Sequence, residues 1–68
     1  MNIPKFFVGA VVYLNSGSKN MTVKEHIYNK EIKDPEKAYE GKLICTWEEN
    51  GKFEEKEFHE NMLEKLTN

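Results

Sequence analysis

The sequence predicts a mainly β fold: a small barrel or strongly bent antiparallel sheet of four to five strands, with a short helical insertion and a short C-terminal helix or turn. Three observations carry that expectation. Short runs rich in Val, Ile, Tyr, Phe and Trp recur along the chain, mostly with the period-two alternation of half-buried strands. Polar turn chemistry separates them, at Asn15-Ser16-Gly17-Ser18-Lys19-Asn20 and at Asn50-Gly51. Little of the chain carries helical periodicity.

The first strand is expected over residues 10–15, with Val12 and Leu14 on one face and Val11 and Tyr13 on the other. The loop that follows is too long for a two-residue turn, so Gly17 is expected in a left-handed conformation. The second strand runs from about Met21 to Tyr28. Met21, Val23 and Ile27 share a parity, and Thr22, Lys24 and His26 point the other way. Glu25 shares the apolar parity and marks a bend or the rim.

Residues 29–41 form a segment that breaks the strand pattern. Within it, Asp34-Pro35-Glu36 has the cap, first-turn proline and acidic first turn of a helix, and Gly41 can end it, so a short helix or 3₁₀ turn is expected over 34–40. Lys42 to Glu49 is the third strand, with Leu43, Cys45 and Trp47 on one face. Asn50-Gly51 is a strong hairpin signal, and Lys52 to Phe58 is the return strand. Phe53 and Phe58 have opposite parity, which calls for a bulge or a turn between them. His59 to Leu66 closes the chain, with Met62, Leu63 and Leu66 at the spacing of one side of a short helix. Short strands with this turn punctuation suggest an SH3-like arrangement.

The 68 residues are read as one domain, 1–68. A chain this short buries only about 60% of the surface its unfolded form exposes, so a compact core or a partner is needed. Phe6, Phe7, Val8, Val11, Val12, Leu14, Met21, Val23, Ile27, Leu43, Ile44, Trp47, Phe53, Phe58, Met62, Leu63 and Leu66 supply the core candidates.

Charge disfavours nucleic acid as a partner. The net charge is −2, with ten lysines, no arginine and twelve acids, whereas phosphate binders usually carry a basic surplus and guanidinium groups. The lone Cys45 cannot form an internal disulfide. No N-terminal stretch has the pattern of a signal peptide and no apolar run approaches a membrane span, so a cytoplasmic protein without membrane contact is expected.

The order Phe7, Gly9-Ala10-Val11-Val12-Tyr13-Leu14-Asn15-Ser16-Gly17, Met21-Thr22-Val23, Cys45-Thr46-Trp47, Phe58 and Leu63 resembles the YodC-like family, small uncharacterised bacterial proteins. The family pattern is roughly G-D-V-V-x-L-K-S-G-G-P-x-M-T-V, then C-x-W, then a phenylalanine followed by a leucine. The resemblance covers residues 7–27 and 42–66. Three departures stand out. Ala10 replaces an acid, Ser18-Lys19 replace Gly-Pro, and residues 28–41 replace a short turn. The resemblance implies a domain of unknown function and carries no activity, cofactor or site residue over.

The chemistry-bearing residues favour binding over catalysis. Aromatics on a small barrel can form a peptide groove, stack bases or cage a methylated lysine. For Trp47, Phe53 and Phe58 the plainer reading is core, whereas Tyr13 and Tyr28 fall on the outward parity of their strands. The Gly17 loop lacks the spacing and following helix of a phosphate loop, so it reads as a hairpin turn. His26, His59 and Cys45 fall in no metal-ligand spacing, and Cys45 reads as a small buried residue. Glu48 and Glu49 facing Glu54-Glu55-Lys56-Glu57 read as a solvated hairpin that discourages edge-to-edge pairing.

The expected function is therefore a non-catalytic protein- or peptide-interaction module, with no metal and no cofactor, and with Tyr13, Lys19 and Tyr28 as its binding face. The alternative is a nucleic-acid-binding barrel, which would need Lys19, Lys24, Lys30, Lys33 and Lys42 to converge beside Tyr13 or Tyr28. An enzyme is the least favoured class. A free strand edge also leaves room for a homo-oligomer.

Overall fold

The computed structural model describes residues 3–66. Its strands are β1 (Val11–Leu14), β2 (Met21–Tyr28), β3 (Tyr39–Glu49), β4 (Lys52–His59) and β5 (Leu63–Lys65). A short helix, α1 (Pro35–Ala38), precedes β3, and a 3₁₀ turn, Glu60–Met62, precedes β5. The five strands form one antiparallel sheet in the order β4-β3-β2-β1-β5. Its two edges, β4 and β5, are not paired with each other, so the closed-barrel alternative is replaced by an open sheet. β5 is only three residues long and pairs with β1, where Leu63 faces Leu14 and Lys65 faces Val12, and its other side stays free.

The first hairpin forms as its turn chemistry predicts. Gly17 has φ +97°, and its N–H donates to the Leu14 carbonyl at 2.8 Å. The Ser18 hydroxyl accepts from the Leu14 N–H at 2.9 Å and donates to the Lys19 carbonyl, so the loop satisfies its own backbone. Val12, Met21 and Val23 are buried, as the alternation requires.

A bulge then changes the face of β2. Val23 faces Cys45 but Glu25 faces Ile44, so β2 carries one extra residue at the position where Glu25 breaks the apolar pattern. Beyond it the parity reverses. His26, expected outward, turns in opposite the buried Leu43, and its Nε2 lies 2.6 Å from the Phe6 carbonyl oxygen.

The insertion extends the β2–β3 hairpin. Tyr28 faces Tyr39, and the Asn29 N–H donates to the Ala38 carbonyl at 2.9 Å. Asp34 caps α1 by accepting the Glu36 N–H at 3.0 Å, and Pro35 occupies the first turn. The helix ends at Ala38 and not at Gly41, because Tyr39 already has extended backbone and pairs with β2. Gly41 serves a different purpose inside β3. It has φ +94°, and a Cβ there would lie 2.6 Å from His59 Nε2, so only glycine lets β3 pass under that ring.

Asn50 and Gly51, with φ of 53° and 80°, form the two-residue turn whose twist suits a hairpin. From there β3 and β4 pair without interruption, from Glu49 with Lys52 to Lys42 with His59. The bulge or turn expected between Phe53 and Phe58 is absent. Phe58 joins the core, and Phe53 lies on the other face, 78% exposed.

The last segment also departs from expectation. Met62, Leu63 and Leu66 do not share a helix face. Leu63 is buried in β5, while Met62 and Leu66 are exposed. The free side of β1 decides this, since Asn15 donates to the Met62 carbonyl and Leu66 donates to the Val11 carbonyl, both at 2.9 Å.

The core is Phe6, Val12, Met21, Val23, Leu43, Cys45, Phe58 and Leu63, with Ala10, Leu14 and Trp47 packed against it from the side. Phe7 and Val8, expected inside, lie exposed in a turn closed by the Ala10 N–H and the Phe7 carbonyl. Ala38 and Tyr39 are buried instead. The Tyr39 hydroxyl donates to Glu60 Oε1 at 2.8 Å, and the same oxygen accepts the Lys5 N–H at 2.9 Å. One carboxylate thus ties the N-terminal segment and the start of β3 to the 3₁₀ turn.

Candidate functional site

The inward residues of β3 are Leu43, Cys45 and Trp47. The first two are fully covered, but Trp47 is only half-buried, because the β1–β2 hairpin has already turned back at its level. A cleft of about 340 Å³ opens there, between the β1–β2 loop and the β3–β4 hairpin. Leu14, Met21, Trp47 and Phe58 give it apolar walls, and Ser18, Lys19, Glu49 and Lys56 form its polar lining. Its size lies at the low end of the range for ligand pockets.

The charged groups are held in place. Lys19 Nζ bonds Glu49 Oε1 at 2.8 Å, which fastens the loop to the end of β3. Lys56 reaches over the Phe58 ring, with Nζ 5.8 Å from the centroid, a cation–π contact. A second cleft, about 320 Å³, lies at the other side of β1 and is lined by Lys5, Phe6, Tyr13, Glu64 and Lys65. There the Tyr13 hydroxyl donates to Glu64 Oε2 at 3.5 Å.

The three residues expected to form the binding face lie in three places. Lys19 lines the first cleft and Tyr13 the second. Tyr28 is half-exposed at the far end of β2, beside the rings of His26 and Tyr39. Trp47 and Phe58, for which core is the plainer reading, face both the core and the cleft. Their inward parity was legible, but the cleft exists because β1 and β2 end where β3 and β4 continue, which parity does not report.

The lysines do not form one stripe. Lys19 is paired with Glu49 and Lys24 with Glu55 at 2.6 Å, while Lys30 and Lys33 follow the opposite end of β2. The Glu55 hydrogen bond and charge hold the Lys24 ammonium above its ordinary pKa, with a smaller contribution from Glu25. Burial pushes the Cys45 thiol up to about 11, so at neutral pH it stays protonated and is a poor nucleophile or ligand. Burial, then the Glu60 hydrogen bond, raises the Tyr39 phenol above its ordinary value. Both histidine rings are engaged with backbone, His26 at the Phe6 carbonyl and His59 through Nδ1, which accepts the Asn61 N–H at 3.1 Å. Among the described residues, no three His, Cys, Asp or Glu side chains gather as a metal site would need, and no helix is long and apolar enough to cross a membrane.

No family model, curated protein or solved structure matches the chain.

Proposed function

We propose that the protein is a non-catalytic interaction module that receives a protein or peptide segment in the cleft between the β1–β2 loop and the β3–β4 hairpin. The observation that carries this reading is the half-covered Trp47, flanked by Leu14, Met21 and Phe58 and rimmed by charges that are already fixed in position. Preorganised apolar pockets with a few placed polar groups are what binding sites share. The strand order, with β1 between β2 and β5, supports an SH3-like arrangement, and the resemblance to the YodC-like family belongs to the same proposal. So does a cytoplasmic location, for which the lone free Cys45 is the support.

Catalysis is the weaker reading. Among the described residues, the thiol is buried and both imidazoles are bonded to backbone, so neither a Cys–His nor a free-imidazole pair is in place. A second partner site is a free strand edge of the sheet, where another copy could add a strand. Sedimentation that shows a monomer over a wide concentration range would remove that idea.

Selection from a random displayed peptide library tests the main proposal. Selected peptides should shift the amide signals of Leu14, Met21, Trp47 and Phe58 in the full chain. Peptides that shift only the Tyr13 cleft, or a library that yields none, would contradict it.

A further inference from the structure

We propose that the occupant of the cleft is a peptide segment in which a large apolar side chain stands next to a carboxylate. This rests on the interaction reading above and adds the chemistry of the partner.

The apolar half of the inference comes from Leu14, Met21, Trp47 and Phe58, which leave room for one large side chain. The acidic half comes from the difference between the two lysines on the rim. Lys19 is satisfied by Glu49. Lys56 has no carboxylate within ion-pair distance among the described residues, and it is held over the Phe58 ring at the edge of the apolar wall. Glu54 shares the face of Lys56 and stands directly across from Trp47, yet it does not line the cleft and forms no ion pair with Lys56.

Lys56 is exposed, so a carboxylate brought beside it forms a rim ion pair, which adds little to affinity but favours an acidic segment over a basic one. A basic segment would meet both lysines, and the one acid it needs, Glu49, is already engaged. Electrostatic complementarity of this kind sets which partner is accepted more than how tightly it is held. A proline-rich segment would use the apolar wall but leave Lys56 without a counter-charge.

Trp47 is the chain's only tryptophan, so its emission reports on the cleft directly. The full chain is titrated with three capped peptides: a Leu-Phe-Glu-Glu core, the same core with both acids changed to Lys, and a Leu-Pro-Pro-Leu core. The acidic peptide should shift the emission saturably, and the basic one should bind at least about tenfold more weakly. Lys56→Gln should weaken the acidic peptide about three- to fivefold, as expected for one rim ion pair, and raising salt from about 0.01 M to about 1 M should weaken it further. Circular dichroism of Lys56→Gln keeps loss of fold separate from loss of contact. Equal binding of acidic and basic peptides, preference for the proline core, or indifference to Lys56→Gln would overturn the acidic inference and leave the interaction reading standing. An emission unmoved by all three and by library-selected peptides would defeat both.

Discussion

The two halves of β3 are made of similar residues and live in different surroundings. From Tyr39 to Cys45 every second side chain is buried, because β2 lies on one side, β4 on the other, and Phe6, Phe58 and Leu63 cover the inner face. From Trp47 to Glu49 burial fades, and the facing part of β4, Lys52 to Glu57, is exposed on both faces. The β3–β4 ladder runs without a break from Lys42 to Glu49 across both halves, whereas β2 pairs only as far as Thr46. A paired backbone therefore does not make a core. What makes one is a third layer of side chains, and where that layer stops, the cleft begins.

The sharpest way to break this contrast is to remove one side chain from each half. Leu43→Ala should cost about 2–5 kcal/mol, since Leu43 is fully covered and the cavity cannot fill. Phe53→Ala, on the exposed half, should change stability by about 0.5 kcal/mol or less. Urea unfolding midpoints measure both, and equal losses would mean that the hairpin tip carries core energy after all.

The glycines extend the comparison to the backbone. Gly41→Ala must meet both a positive φ and the His59 ring, so a loss of about 2–4 kcal/mol is expected from strain and displacement together. Gly17→Ala meets open space, and only the left-handed backbone opposes it, for about 1–2 kcal/mol. Similar values for the two in thermal unfolding would show that His59 moves aside freely.

Alkaline pH should act on the covered half through Cys45 and Tyr39, and on the exposed half only through the surface Lys24–Glu55 pair. Cys45 and Tyr39 both titrate higher in the folded chain than in the unfolded one, because burial disfavours their anions. A raised pKa means that the unfolded chain loses its proton first. The stability linked to Cys45 is thus intact below about pH 9 and is lost as pH rises through about 11, and that linked to Tyr39 begins to fall near pH 10. Tyr39→Phe should lose the neutral-pH hydrogen bond to Glu60 and also show a shallower decline above pH 10. A wild-type midpoint that stays flat to pH 11 would contradict this.

Local chemistry was legible in the sequence. The bounds of β2, the Asp34 cap with Pro35, and the Asn50-Gly51 turn follow from residues within a few positions of one another. Errors arose where distant strands decide. The bulge at Glu25 reversed the parity of His26, and the free side of β1 drew Leu63 to Lys65 into a strand where spacing alone had suggested a helix. Tyr39 went unread as core, and its buried hydroxyl is met by Glu60, 21 positions away. The candidate site divides the same way. Lys19 lies on a loop that turn chemistry reveals, but its neighbours in the cleft, Trp47 and Lys56, belong to a hairpin whose reach past β1 no short-range pattern encodes.

The most direct measurement is the indole N–H signal of Trp47 in a proton–nitrogen correlation spectrum, followed as the acidic aromatic peptide is added to the full chain. If the cleft beside the end of the core is the binding site, that signal moves saturably while the amides of Phe53 and Tyr28 stay in place. An indole signal that does not move, while signals around Tyr13 and Glu64 do, would contradict the account.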